Sequence, residues 1–154
     1  MSLVDAADRF LRLHRIAVVG VSRDPRDFSR RVFEAFLAGG YDAVPVNPAG
    51  GEIGGRPAFA RVSLAEPPVE GAFVMVPSGR ADEVTADALA AGVRELWFHR
   101  GGGPGAASAA ARARCAAAGV DPVVDLCPFM MLPGQSFFHR VHAHFRKRTL
   151  ARRA

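Results

Sequence analysis

The run IAVVGVSRDPRDFSRRVFEAFL, residues 16–37, most narrows the folds open to this 154-residue chain. Residues 16–19 are apolar and mostly β-branched, the mark of a strand buried on both faces. Gly20 stops the strand and a polar, proline-bearing loop follows. Ser29 then stands where a helix N-cap would, and Phe28, Val32, Phe33, Phe36 and Leu37 recur at helical spacing behind it. A buried strand turning through glycine into a helix start is the opening βα unit of a nucleotide-binding fold. The unpaired N–H groups and the dipole at such a helix end favour a phosphate.

The same alternation continues along the chain. Leu3, Ala6, Ala7, Phe10 and Leu11 mark one face of a leading helix over residues 3–14. Gly39-Gly40 ends the next helix, and residues 41–46 form a second strand closed by the turn-forming Asn47-Pro48. The glycine-rich residues 50–59 read as a loop or small flap near the end of that strand, and Ser63 as the opening of one helical turn. A third strand spans 72–76 and stops at Pro77; Ser78 caps a helix that carries Val84, Ala88 and Leu89 and ends at Gly92. Residues 95–98 are a fourth strand, 104–118 an alanine-rich helix closed at Gly119, and 122–124 a short fifth strand. Strands alternating with helices at these lengths predict an α/β fold: a single doubly wound, five-stranded parallel sheet, ordered 3-2-1-4-5, with helices on both faces. Residues 1–127 form the domain, and 128–154 a C-terminal helical extension packed on it. In that extension PFMML and a stripe of Phe138, Val141, His142 and Phe145 would cover the sheet or make a homodimer contact.

Composition limits the function classes. Hydrophobic residues make up 49% of the chain, enough for a packed core. No apolar run approaches the roughly 20 residues of a membrane span. The N-terminus is acidic where a secretion signal is basic, so a cytoplasmic protein is expected. Cys115 and Cys127 do not suggest a disulfide scaffold. The net charge of +5 is carried almost wholly by arginine, much of it in the last fifteen residues, and reads as an ordinary soluble surface. A nucleic-acid-binding or regulatory role for the tail, residues 146–153, is the alternative.

Ligands of open α/β sheets lie outside the carboxyl ends of the strands, where strand order reverses. The fold would gather Gly20, Val21, Ser22 and Arg23 there with Asn47-Pro48, Pro77-Ser78, and His99 and Gly101 after the fourth strand. The first loop has glycine, serine and proline where G-x-G-x-x-G has glycines, and the chain has no Gly-Lys-Ser/Thr of a P-loop. It offers instead the hydroxyls of Ser22 and Ser29, backbone N–H groups, and the guanidiniums of Arg23 and Arg26, which suit a pyrophosphate. An NAD site places Asp or Glu at the end of the second strand, whereas this chain has Val46, Asn47 and Pro48. That choice is compatible with coenzyme A, which carries a ribose 3′-phosphate, and with NADP, which carries a 2′-phosphate. An NAD(P)-dependent oxidoreductase is therefore the enzyme alternative to a coenzyme A binding protein. Cys127 reads as a buried structural cysteine, and His139, His142 and His144 as part of an amphipathic surface helix.

Taken together, AVVGVS at 17–22, Ser29, PVNP at 45–48, EIGGRPAF at 52–59, Pro77, Gly101 and DLC at 125–127 resemble the CoA-binding protein family related to the nucleotide-binding domain of succinyl-CoA synthetase. The resemblance covers roughly residues 10–127. It implies a Rossmann-like domain that binds coenzyme A or an acyl-CoA, with no established catalytic activity. Carried over, Gly20, Val21 and Ser22 would face the pyrophosphate and Ser29 would approach a phosphate. Val46, Asn47 and Pro48 would flank the adenosine, with Pro77 on its other side. The chain departs from many relatives in having Asp27 and Phe28, rather than an arginine and a proline, just before Ser29; Arg26 would replace the missing cation.

Overall fold

A computed structural model of the chain describes residues 2–99 and 105–130. Its elements in order are α1 (Leu3–Leu11), β1 (Arg15–Val19), α2 (Phe28–Ala38), β2 (Asp42–Val46), β3 (Glu52–Ile53), β4 (Arg56–Pro57), β5 (Gly71–Val74), α3 (Ser78–Ala90), β6 (Glu95–Phe98) and α4 (Ala109–Ala117), with short 3₁₀ turns at Val62–Leu64 and Pro128–Met130. Four strands form a wholly parallel sheet in the order β2-β1-β5-β6, and β3 and β4 make a separate antiparallel hairpin.

Strand side chains alternate between the faces of a sheet, and here both faces are covered. Ile16, Val18, Phe73 and Trp97 point to one side and pack with Ala6, Ala7 and Phe10 of α1 and Val32, Phe33 and Phe36 of α2. Ala17, Val19, Ala72, Val74, Leu96 and Phe98 point to the other and pack with Ala81 and Ala88 of α3 and Ala111 and Cys115 of α4. The α1/α2 side is the aromatic one: Phe73 lies 5.2 Å from Phe36 and 5.7 Å from Trp97, centroid to centroid.

The expected strand order 3-2-1-4-5 is corrected. The third strand of the sequence reading, now β5, pairs with β1 instead of extending outward past β2. The outer edge of β2 is already taken by Phe59: its N–H donates to the Pro45 carbonyl at 3.1 Å, and its carbonyl accepts from the Asn47 N–H at 3.0 Å. The β3–β4 hairpin leads into that contact, and Arg56 of β4 pairs with Asp42 of β2. These contacts occupy the outer edge at the carboxyl end of β2.

The expected fifth strand is reduced to one bridge. Val123 donates to Leu96 at 2.8 Å and accepts from Phe98 at 2.9 Å. Pro122 has no N–H to offer, and Asp125, at φ 60°, turns the chain out of the extended conformation. The Trp97 indole N–H donates to the Leu126 carbonyl at 3.1 Å and fixes this segment against β6.

Other local expectations also shift. Asp27, not Ser29, caps α2. Phe28, expected in the core stripe, is 45% exposed at the first turn. Ser78 is the first residue of α3, with Pro77 at the cap position and no side-chain cap. Ser63 does not cap its turn; its N–H and hydroxyl both donate to the Asp87 carboxylate of α3. The stripe at residues 138–145 and its dimer contact, the three histidines there and the basic tail lie outside the described residues.

Two stability tests follow from this packing. A Cβ at Gly71 would overlap the Leu13 side chain and stand 3.1 Å from the Glu95 carbonyl oxygen. Gly71→Ala is expected to cost about 1–3 kcal/mol, read as a lower urea midpoint at unchanged slope. Asp42 accepts from Arg15 at 2.7 Å and from Arg56, and these hydrogen bonds hold its carboxyl below the ordinary 3.8. A depressed folded-state value stabilises above the unfolded value of about 3.9 and is lost as pH falls through the lower folded value. Asp42→Asn is therefore expected to lower the melting temperature at neutral pH, with the gap narrowing as pH is taken toward 3 or below.

Candidate ligand-binding cleft

The carboxyl ends of β1, β2 and β5 converge at Gly20. Its N–H donates to the Val46 carbonyl at 3.0 Å. Its φ is 93°, and a Cβ there would stand 3.0 Å from the Met75 carbonyl oxygen, so only glycine fits without strain. The turn leaves a cavity of about 260 Å³ on the α3 side of the sheet. Val19, Gly20, Val46, Pro48, Val76, Pro77 and Val84 line it. Arg61, Arg80, Glu83 and Asp87 stand among its lining residues.

Of the residues singled out from sequence, Gly20, Val46, Pro48 and Pro77 line this cavity. Val21, Ser22, Arg23, Ser29 and Asn47 form a hydrogen-bonded corner above it. The Asn47 side-chain amide donates to the Val21 carbonyl at 2.9 Å and its oxygen accepts from Arg23 at 3.1 Å. Arg23 also donates to the Gly50 carbonyl and so spans from the β1–α2 loop to the loop after β2. The Ser22 N–H donates to the Ser29 hydroxyl oxygen at 2.9 Å. Ser29 in turn donates its hydroxyl at 2.5 Å and its N–H at 2.8 Å to the Asp27 carboxylate. Asp27 takes the cap, where its carboxylate also meets the positive end of the helix, and Ser29 sits buried in the first turn as the second residue of α2. Arg26 extends into solvent, its side chain 90% exposed beside Asp24. Gly101 lies outside the described residues.

Sequence reasoning missed the α3 and Arg61 side of the cleft. Arg80, Glu83, Val84 and Asp87 fall at i, i+3, i+4 and i+7 and so share one helix face, the face turned to the cavity. That spacing was readable once Pro77 had been placed at the site.

The remaining titratable groups lie elsewhere. His99, at the end of β6, stacks 5.2 Å from Phe28 and 6.1 Å from Phe73, on the α1/α2 side. Burial holds its imidazole below the ordinary 6.5, in the neutral form at pH 7. Burial pushes the Cys115 thiol up to about 11, which leaves it un-ionised and inert. Cys127, expected to be buried, is partly exposed. No helix among the described residues is long and apolar enough to cross a membrane.

Residues 14–133 match the family model of the CoA binding domain. A conserved hypothetical protein from Pyrococcus furiosus is 30% identical, with 75% of this chain and 96% of that chain covered and a TM-score of 0.67. A hypothetical protein from Pyrococcus horikoshii OT3 is 26% identical over 82% of this chain and 87% of that chain, with a TM-score of 0.74. The acetyl-coenzyme A synthetase 1 of Ca. Korarchaeum cryptofilum is 26% identical over 75% of this chain, with a TM-score of 0.64, and the match spans 26% of that longer chain. The matched residues include every element of the parallel sheet, and this chain belongs to the CoA binding domain family.

Proposed function

We propose that the protein is a non-catalytic binding protein for coenzyme A or an acyl-CoA. One observation carries the reading: the carboxyl edge of the sheet opens into a cavity of about 260 Å³ at the glycine turn of β1, lined by valines, prolines and charged side chains. The adenosine fits between the Val46–Pro48 wall and Pro77. From there the pyrophosphate reaches the corner of Gly20, Val21 and Ser22, close to Ser29, with Arg23 and Arg26 as the nearby cations.

The internal bonding of the corner sets the affinity. The Ser22 N–H and the Ser29 hydroxyl already serve protein acceptors, and Asp27 places a negative charge at the helix end that a phosphate would otherwise occupy. The ligand must compete with that carboxylate.

Isothermal titration with coenzyme A is expected to give saturable one-to-one heat, matched by a rise in melting temperature. No heat and no thermal shift would contradict the proposal. Val84→Trp, which fills the cavity from α3, is expected to abolish binding while the far-ultraviolet spectrum stays native. Asp27→Asn keeps a good N-cap but removes the competing charge. It is expected to tighten coenzyme A binding by roughly tenfold with stability changed by less than about 0.5 kcal/mol; unchanged or weaker binding in a folded variant would show that Asp27 does not oppose the phosphate.

A further inference from the structure

The lining of the cavity carries charge that the nucleoside and pyrophosphate contacts leave unused. Arg61, just before the Val62–Leu64 turn, and Arg80, in the first turn of α3, both line it. Neither guanidinium is firmly held. Arg61 lies 3.9 Å from Asp87 with its side chain 69% exposed, and the Asp87 carboxylate is already satisfied by the N–H and hydroxyl of Ser63. Arg80 pairs at 3.0 Å with Glu83 on its own helix, and both side chains are at least half exposed. Exposed pairs of this kind are weak and give way to a better partner. A dianionic phosphate is such a partner, because it accepts from both guanidiniums at once. The end of β2 presents Val46, Asn47 and Pro48, so no carboxylate there repels a phosphorylated ribose.

We propose that Arg61 and Arg80 together read a phosphate on the ribose of the bound nucleotide, and that they make the protein select 3′-phosphorylated coenzyme A over its dephosphorylated form. The inference rests on the cavity being the nucleoside site proposed above. Glu83 opposes the selection by holding Arg80 and by placing its own charge beside the phosphate.

Isothermal titration of the full chain with coenzyme A and with dephospho-CoA tests this. The parent protein is expected to bind coenzyme A at least about tenfold more tightly than dephospho-CoA. Arg61→Gln with Arg80→Gln is expected to bring that ratio near one by weakening coenzyme A alone, with the dephospho-CoA constant within about twofold of the parent. Glu83→Gln is expected to widen the ratio by a few fold. Because all three side chains are exposed, melting temperatures should stay close to the parent value, which separates selectivity from misfolding. Binding of both ligands with equal affinity in the parent, or an unchanged ratio in the double variant, would overturn the inference and leave coenzyme A binding intact. Heat with neither ligand would overturn the proposed function itself, and this assignment with it.

Discussion

The carboxyl edge of the molecule is shaped by how closely β1 approaches β5 at Gly20. β1 lies between β2 and β5, so its last residues are hydrogen-bonded on both sides. At that point the chain must leave the sheet with a positive φ, and a Cβ there would press on the Met75 carbonyl. A side chain would wedge β5 away from β1 and close the space beneath the turn. Glycine allows both the turn and the close approach. The cavity on the α3 side and the hydrogen-bonded corner leading into α2 are thus two consequences of one backbone constraint.

The corner is held by Asn47 and Arg23. Asn47 links the loop after β2 to the Val21 carbonyl, and Arg23 crosses back to Asn47 and Gly50. These contacts fix the relative position of two loops that are distant in sequence, so a ligand meets a preformed cleft and loses less entropy in ordering it. The same self-sufficiency opposes an incoming phosphate, because Asp27 and Ser29 already satisfy the start of α2. Preorganisation and competition arise from the same hydrogen bonds.

Much of the fold was legible in the sequence because both-face burial writes a strong pattern. The runs IAVV and ELWF and the helical stripe of Val32, Phe33 and Phe36 each mark an element directly. Strand order was not legible. At the end of β2 the outer edge is met by Phe59, which pairs with Pro45 and Asn47, a contact between a loop and an edge that periodicity does not encode. The fifth strand failed for a local reason, Pro122 and the left-handed Asp125. At the cleft, Gly20, Val46, Pro48 and Pro77 were readable from turn chemistry and fold position. Arg61, Arg80 and Asp87 were not singled out, because charged side chains read as solvated surface until the cavity they line is known.

Chemical-shift mapping in solution addresses the central claim most directly. Amide spectra of the labelled protein would be recorded as coenzyme A is added. The largest changes are expected at Gly20, Val21 and Ser22 and at Val76 and residues 78–80, with α1 and α4 nearly unmoved. Changes concentrated away from the carboxyl edge of the sheet, or no changes at saturating ligand, would contradict it.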